Sequence, residues 1–485
     1  MRCVNFKGLT WLGLGVVLCL SAACHHKNSH KQLSPEAARK ARLDWNIKTL
    51  IDAYNTVGNT DAKWDEAATN ALAEFAQWHT GTDDMRPDLI IATNCAAAVQ
   101  AGCDDPMVRY LYVLFGMSPT NSPADITKAV RKMADDMQNS GYPPVRKLYA
   151  SLRTAEQIKY VAGGKTPPEV HEYRHTAMTN LADTVGDRTM PPEEAYDACN
   201  GLLEALSQNK KQYDECYGKI EGPLLNNWPD ESFVWLLKGK AYIRKGWSAR
   251  GGGGKDTVSP AAWKTFQDDL AVAEVSLKKA WKLNPQDERV AINMIRVAQG
   301  EHKTLKEMDV WFNRALEVNP NSYDACDHKL QYLYPQWYGS REAMLDFGRE
   351  CVQNPNWGGK VPLILPEVHR LIRNSIPKGP ERDAYLKQPW VWKDLQSAYE
   401  RYFAVNPGAA GRYYDYAWYA YQAEQWDTFT NLVPKLGAVD YSYFGGEEKF
   451  KAMVETAKDH AKGTPPVKLD EPPGQNMLFK QAEGG

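Results

Sequence analysis

The chain has 485 residues, 43% hydrophobic and 24% charged, which supplies the apolar side chains for a large core and is too polar for a protein that crosses a membrane repeatedly. Basic and acidic side chains nearly cancel, 58 against 60, for a formal net charge of −2, and this argues against nucleic acid as the main partner because phosphate binding needs a basic surplus. Trp (16) and Tyr (25) outnumber Phe (12), so most aromatic surface carries a polar handle suited to packing and recognition alike.

Residues 1–23 read as a secretory signal: Arg2 and Lys7 give the positive end, residues 8–20 an apolar stretch, and Ser21, Ala22 and Ala23 the small residues a signal peptidase requires. Cys24 follows at once. The run Leu20-Ser21-Ala22-Ala23-Cys24 resembles the lipobox of bacterial lipoproteins, which implies cleavage before Cys24 and acylation of its sulfur. Ser21 stands where a lipobox usually has Leu, which leaves plain signal cleavage as the alternative. Two or three acyl chains on one residue would give durable anchoring where one would not. Residues 24–43 are then the lipidated cysteine and a polar tether. The expected location is the bacterial cell envelope, lipid-anchored and facing the periplasm or the exterior.

Cysteine usage agrees with export. Beyond Cys3, Cys19 and Cys24 the chain holds Cys95, Cys103, Cys199, Cys216, Cys326 and Cys351, an even number suited to an oxidising compartment. Sequence neighbours suggest Cys95 with Cys103, Cys199 with Cys216 across a helical turn, and Cys326 with Cys351 about the break at residues 335–339; buried free thiols are the alternative.

From residue 44 to about 460, Pro and Gly punctuate segments of helical periodicity, and almost none shows the alternation of a strand. Residues 64–75 and 192–206 combine acidic first turns with an apolar stripe. The fold class is therefore all-α. Residues 44–227 form an N-terminal helical region, residues 228–460 a repeat region, and residues 461–485, rich in Pro and Gly without period, a disordered tail.

The repeat signal is an Asn-Pro pair at Asn284-Pro285, Asn319-Pro320 and Asn354-Pro355, a constant interval of 35 residues, with a fourth pair at Asn406-Pro407. This resembles the tetratricopeptide repeat, two antiparallel helices in about 34 residues with Pro closing the second. Ala273, Leu277 and Ala280, then Phe312 and Ala315, then Ala343 and Phe347 fill the packing positions of second helices, while Trp235, Gly239 and Tyr242 fit a first helix. Ile295, Leu330 and Glu350 depart from the small residues the repeat prefers. About 22 extra residues, including Gly251, Gly252, Gly253 and Gly254, lie between or extend the helices of the first unit. This insertion, with Thr257, Val258, Trp263 and Phe266 and the later run from Tyr334 through Trp337 to Ser340, resembles an uncharacterised bacterial family, domain of unknown function 4034. The resemblance spans roughly residues 235–357 and implies no known activity.

Chemistry-bearing motifs are few. The glycine run before Lys255 fails as a phosphate loop, because Ala249 and Asp256 occupy required positions and a helix, not a strand, precedes it. His171-Glu172-Tyr173-Arg174-His175 matches H-E-x-x-H, which would set two imidazoles on one helical face for zinc with Glu172 as general base and Glu193 or Glu194 as third ligand. The bland alternative is two solvent-facing imidazoles, favoured by the first-turn position after Pro167-Pro168 and by the cation of Arg174 between them. The repeat register puts Lys240, Arg244, Arg289 and Arg296, then Tyr334, Tyr414, Trp418 and Tyr421, on the exposed face of first helices, where arginine forks and rings would suit an acidic or carboxylate-ended peptide. The alternative there is solvated charges and core aromatics. The expectation is a non-catalytic envelope scaffold that needs no cofactor and binds an envelope protein or peptide, with a zinc peptidase and a cell-wall glycan binder as the competing functions.

Overall fold

The computed structural model describes residues 34–81, 87–117, 122–460, 467 and 469. The signal segment, Cys24, the start of the tether and most of the predicted tail lie outside the described residues.

Proline and a hydroxyl or amide cap open many helices, as the fixed φ of Pro and a side-chain acceptor for orphan N–H groups favour. Ser34 caps α1 (Pro35–Val57), so helix begins within the segment expected to be tether. There follow α2 (Asp65–Thr80), α3 (Pro87–Gln100), α4 (Pro106–Leu111), which runs into a π-turn at Tyr112–Gly116, and α5 (Pro123–Asn139). Hairpins then succeed one another: α6 (Pro144–Val161) with α7 (Pro168–Thr184), α8 (Pro192–Ala205) with α9 (Lys210–Asn227), α10 (Ser232–Arg250) with α11 (Pro260–Leu283), α12 (Glu288–Gly300) with α13 (Leu305–Val318), and α14 (Tyr323–Tyr332) with α15 (Arg341–Gln353). Beyond them α16 (Ile364–Ser375), the short α17 (Pro380–Tyr385) and α18 (Pro389–Val405) form a longer unit, and α19 (Tyr413–Gln422), α20 (Trp426–Leu432) and α21 (Glu447–Lys458) close the chain. No strand occurs among the described residues. The all-α, repeat-like solenoid read from the sequence is the observed architecture.

The Asn-Pro pairs have a physical explanation. Asn284, Asn319 and Asn354 end α11, α13 and α15, each donating its backbone N–H to the carbonyl four residues back. Each side-chain Oδ1 then accepts the N–H two residues on, at 2.9, 3.0 and 3.0 Å, making the same turn three times before the next helix starts. Asn406 ends α18 likewise but sends its amide to the Gly359 carbonyl at 2.7 Å, tying the last regular hairpin backward. The extra residues of the first unit lengthen α10 and α11 and leave a short connector with a 3₁₀ turn at Lys255–Thr257. Gly239 is needed where these helices meet, since a Cβ there would fall 2.5 Å from the side chain of Leu277.

One core runs from Val145 to Val297 without interruption at 227/228, so the N-terminal helical region and the first repeats share it. A second runs from Ala291 to Ala457, and Trp281 and Trp311 pack against both. A third unites α1 to α4. Val467 and Leu469, in the predicted tail, pack on the second core, and the Val467 N–H donates to the Tyr421 hydroxyl at 2.8 Å. No helix among the described residues is long and apolar enough to cross a membrane.

Candidate functional site

The first helices α10, α12, α14 and α16 pack side by side in chain order. Helical spacing puts Arg289, Asn293 and Arg296 on one stripe of α12, Tyr323 and Asp327 on α14, Glu367 and Arg370 on α16, and Arg412, Asp415 and Tyr419 along α19 and the turn before it. In the later part of this face lies a cavity of about 220 Å³ lined by Tyr323, Lys360, Glu367, Arg370, Tyr399, Arg412, Asp415 and Tyr419, with Leu363 and Pro366 as apolar floor.

Its walls are built from short-range ion pairs. The buried Arg370 grips Glu367 three residues back with both arms of its fork, Nε to Oε2 at 2.7 Å. Arg412 meets Asp415 at 2.7 Å, and Asp415 also accepts from the Tyr443 hydroxyl. Tyr399 stacks on Tyr416 at 4.8 Å, which fixes the ring that forms one side. Burial pushes the Tyr323 and Tyr399 phenols above their usual range, so both stay neutral donors.

Deeper along α14 the electrostatics are poorly matched. Asp327 receives a hydrogen bond from Gln331 at 2.7 Å, yet burial and the facing Glu367 carboxylate raise its pKa to about 6. Beside it, burial and the charge of Arg296 push His328 down to about 4, with its Nδ1 against the Asp324 carbonyl at 2.7 Å.

The sequence-predicted residues divide sharply. Lys240 is spent on Glu204 of α8, at 3.0 Å. Arg244 donates to the Ser207 carbonyl and lies 4.3 Å over the Tyr213 ring. Arg289 pairs with Asp287 at 2.7 Å and Glu193 at 3.0 Å and covers Tyr196. These three are braces between helices and do not form an open basic stripe. Tyr414 is half-buried and holds the turn after α20 through the Ala438 carbonyl and the Asp440 N–H. Trp418 and Tyr421 are core residues, each 2% exposed, and cannot present a face to a partner. On α19 the face expected to be open is one position off: Asp415 and Tyr419 line the cavity, while Tyr414 and Tyr421 pack on aromatic residues that follow and Trp418 lies under Arg373 of α16. Arg296 and Tyr334 are partly buried, Arg296 in the field of Asp327 and Tyr334 in that of Asp327, Glu367 and Arg370.

The cysteines Cys95, Cys103, Cys199, Cys216, Cys326 and Cys351 are all buried free thiols in this structure. Burial raises the Cys351 thiol well above its usual range, and a hydrogen bond with Cys326 adds to the shift. His171 contacts Gln212 at 3.2 Å and His175 is exposed. Neither proposed third ligand is free: Glu194 is fully buried among Arg42, Asn46, His79 and Tyr149, and Glu193 holds Arg289. Among the described residues no group of three metal-ligating side chains forms.

Residues 290–354 match the model of a family described as Domain of unknown function (DUF4034), inside the stretch whose motifs resemble that family. The match takes in α13, α14 and α15 and nearly all of α12, with Arg296, Tyr323, Asp327 and Tyr334, while the cavity residues from Lys360 onward lie beyond it. No curated protein matches the chain.

Proposed function

We propose that this chain is a non-catalytic binding protein of the bacterial envelope, anchored through a lipidated Cys24, that captures a peptide segment of another envelope protein on the first-helix face of its hairpins. The cavity between α14, α16 and α19 carries this reading. Its tyrosines offer rigid contact area at low entropic cost, and its paired arginines and carboxylates offer directional edges to a segment of mixed charge. Stacked hairpins give such a segment a continuous track along successive first helices.

Site-specific photocrosslinking in intact cells tests it. A crosslinker in place of the exposed Lys360, at the cavity rim, should yield one discrete envelope adduct, and one in place of Tyr160 on α6 should not. Arg412→Gln should cut the Lys360 adduct about tenfold, the loss expected for a charge-assisted contact worth about 1.4 kcal/mol. Equal adducts from both positions, or none from position 360, would refute the reading. Cys24→Ala should move the chain from the membrane to the soluble fraction.

A further inference from the structure

Aromatic residues from α10, α11 and the loop after α14 meet beside the first unit's glycine connector. Trp247 packs edge-on against Phe266, with ring centroids 5.0 Å apart, and against Trp337 at 5.3 Å. Trp263 packs on the same Phe266 at 5.6 Å. Two arginines enter this cluster. The Arg250 guanidinium lies 5.7 Å from the Trp247 centroid, 5.5 Å from Trp263 and 5.1 Å from Trp337. Arg296, from α12, lies 5.5 Å from Trp247.

An arginine drawn into such surroundings ordinarily meets a carboxylate. Neither does so here among the described residues. Arg250 spends one arm on the carbonyls of Gly251 and Gly253, at 2.8 and 3.2 Å. Asp327 acts on Arg296 only at a distance, and burial leaves both guanidiniums below their usual pKa. Three N–H donors of contacting side chains, Trp247 Nε1, Arg250 Nε and Arg296 Nε, are shut off from solvent with no acceptor among the described residues. Buried donors are almost always paired, so three around one indole define the chemistry of what would satisfy them: an acceptor with negative charge.

We propose that the cluster of Trp247, Arg250 and Arg296 is a binding site for a small oxyanion, a carboxylate or a phosphate, whose attached carbon skeleton would lie against the tryptophan rings. The two guanidiniums supply charge and the indole a directed N–H. The site draws Arg296 and Trp337 from the family-matched segment and Trp247, Arg250 and Trp263 from the hairpin before it. It shares no residue with the lining of the cavity near Arg412 and holds whether or not that cavity takes a peptide.

The full chain labelled with 5-fluorotryptophan provides the test, with Trp247→Phe assigning the Trp247 fluorine resonance. Inorganic phosphate and, separately, succinate are titrated at ionic strength held constant with sodium chloride. The proposal expects a saturable shift of that resonance with at least one of the two, and an apparent Kd raised about tenfold or more in Arg296→Gln. Saturation by phosphate alone identifies a phosphate site, and saturation by succinate alone a carboxylate site. Arg250→Lys, which keeps the charge and loses the fork and its Nε donor, should weaken binding as well and serves if Arg296→Gln does not fold. No saturable shift with either anion, or an unchanged Kd in a folded variant, overturns the proposal.

Discussion

Two acidic residues, one in each half of the solenoid, are held in opposite ways. Glu194 on α8 is fully buried and accepts hydrogen bonds from Arg42 at 2.8 Å, Asn46 at 3.1 Å and Tyr149 at 2.7 Å, with His79 at 2.9 Å. Burial alone would raise its pKa, yet His79, Arg146 and Arg42 together hold it well below the ordinary range. Asp327 on α14 has one side-chain donor, Gln331, and burial, with the facing Glu367 carboxylate adding to it, raises its pKa. The first arrangement ties α1, α2, α6 and α8 together around one carboxylate. The second leaves charge mismatched along the face that holds the cavity. A solenoid needs the first kind of site to keep its register; the second kind stores unfavourable electrostatics that a ligand can relieve.

The sharpest way to break the contrast is Glu194→Gln. It removes the carboxylate that compensates the 2%-exposed Arg146, while Arg42 keeps Asp197 at 2.7 Å, and an uncompensated buried cation costs about 3–5 kcal/mol. Urea unfolding at pH 7 should show that loss. Because the folded pKa lies below the unfolded value of about 4.5, the native pair contributes stability above that pH and loses it as pH falls through the depressed folded value. A loss under about 1 kcal/mol would reduce the cluster to an ordinary surface pair.

Asp327→Asn should act in the other direction and by less. The wild-type carboxyl is raised from 3.8 to about 6, so the folded chain keeps a proton there that the unfolded chain gives up between those values. Stability from this group therefore falls as pH rises from about 4 to about 6 and stays low above that. Asn imitates the protonated acid, and the variant should gain about 2–3 kcal/mol at pH 7.5 and nothing at pH 3.5. His328, neutral in the fold, titrates the opposite way, losing stability as pH falls from 6.5 through about 4. Subtracting wild-type from variant stability at each pH isolates Asp327. A flat difference across that range would mean that neither burial nor the facing Glu367 carboxylate shifts this group.

Much of the architecture was legible because its causes are local. The 35-residue interval marks the same turn made at Asn284, Asn319 and Asn354, whose turn-forming hydrogen bonds reach two to four positions along the chain, although the Asn319 amide also donates to Glu288 at 2.9 Å. The cavity was not legible, for two physical reasons. The unit before Asn406 contains the additional helix α17, so counting from one Asn-Pro pair to the next loses register, and on α19 a one-residue error exchanges Asp415 and Tyr419 for Tyr414 and Trp418. The Glu367–Arg370 and Arg412–Asp415 spacings were visible as i, i+3 pairs, but such pairs are common on solvated helices and carry no sign of a cavity. Nor does a register say what faces a side chain from another helix. Glu193 and Glu204, which occupy Arg289 and Lys240, lie 96 and 36 residues away along the sequence.

That last point makes Lys240 the finest test of the comparison. Its ammonium reaches Glu204 at 3.0 Å and Asn200 at 2.5 Å, and its side chain is 25% exposed, so it is a modest brace between α10 and α8. Lys240→Met keeps the aliphatic stem that covers the helix and deletes only the charge. Pairs of this exposure are worth about 0–1 kcal/mol, so the urea midpoint should scarcely move. Capture through position 360 should not change either, because the Lys240 ammonium is already engaged by Glu204 and Asn200 of α8. If deleting this one charge abolished capture while stability held, the binding track would have to extend across the first hairpins, and the division between a bracing half and a receiving half would fail at the helix where it was drawn.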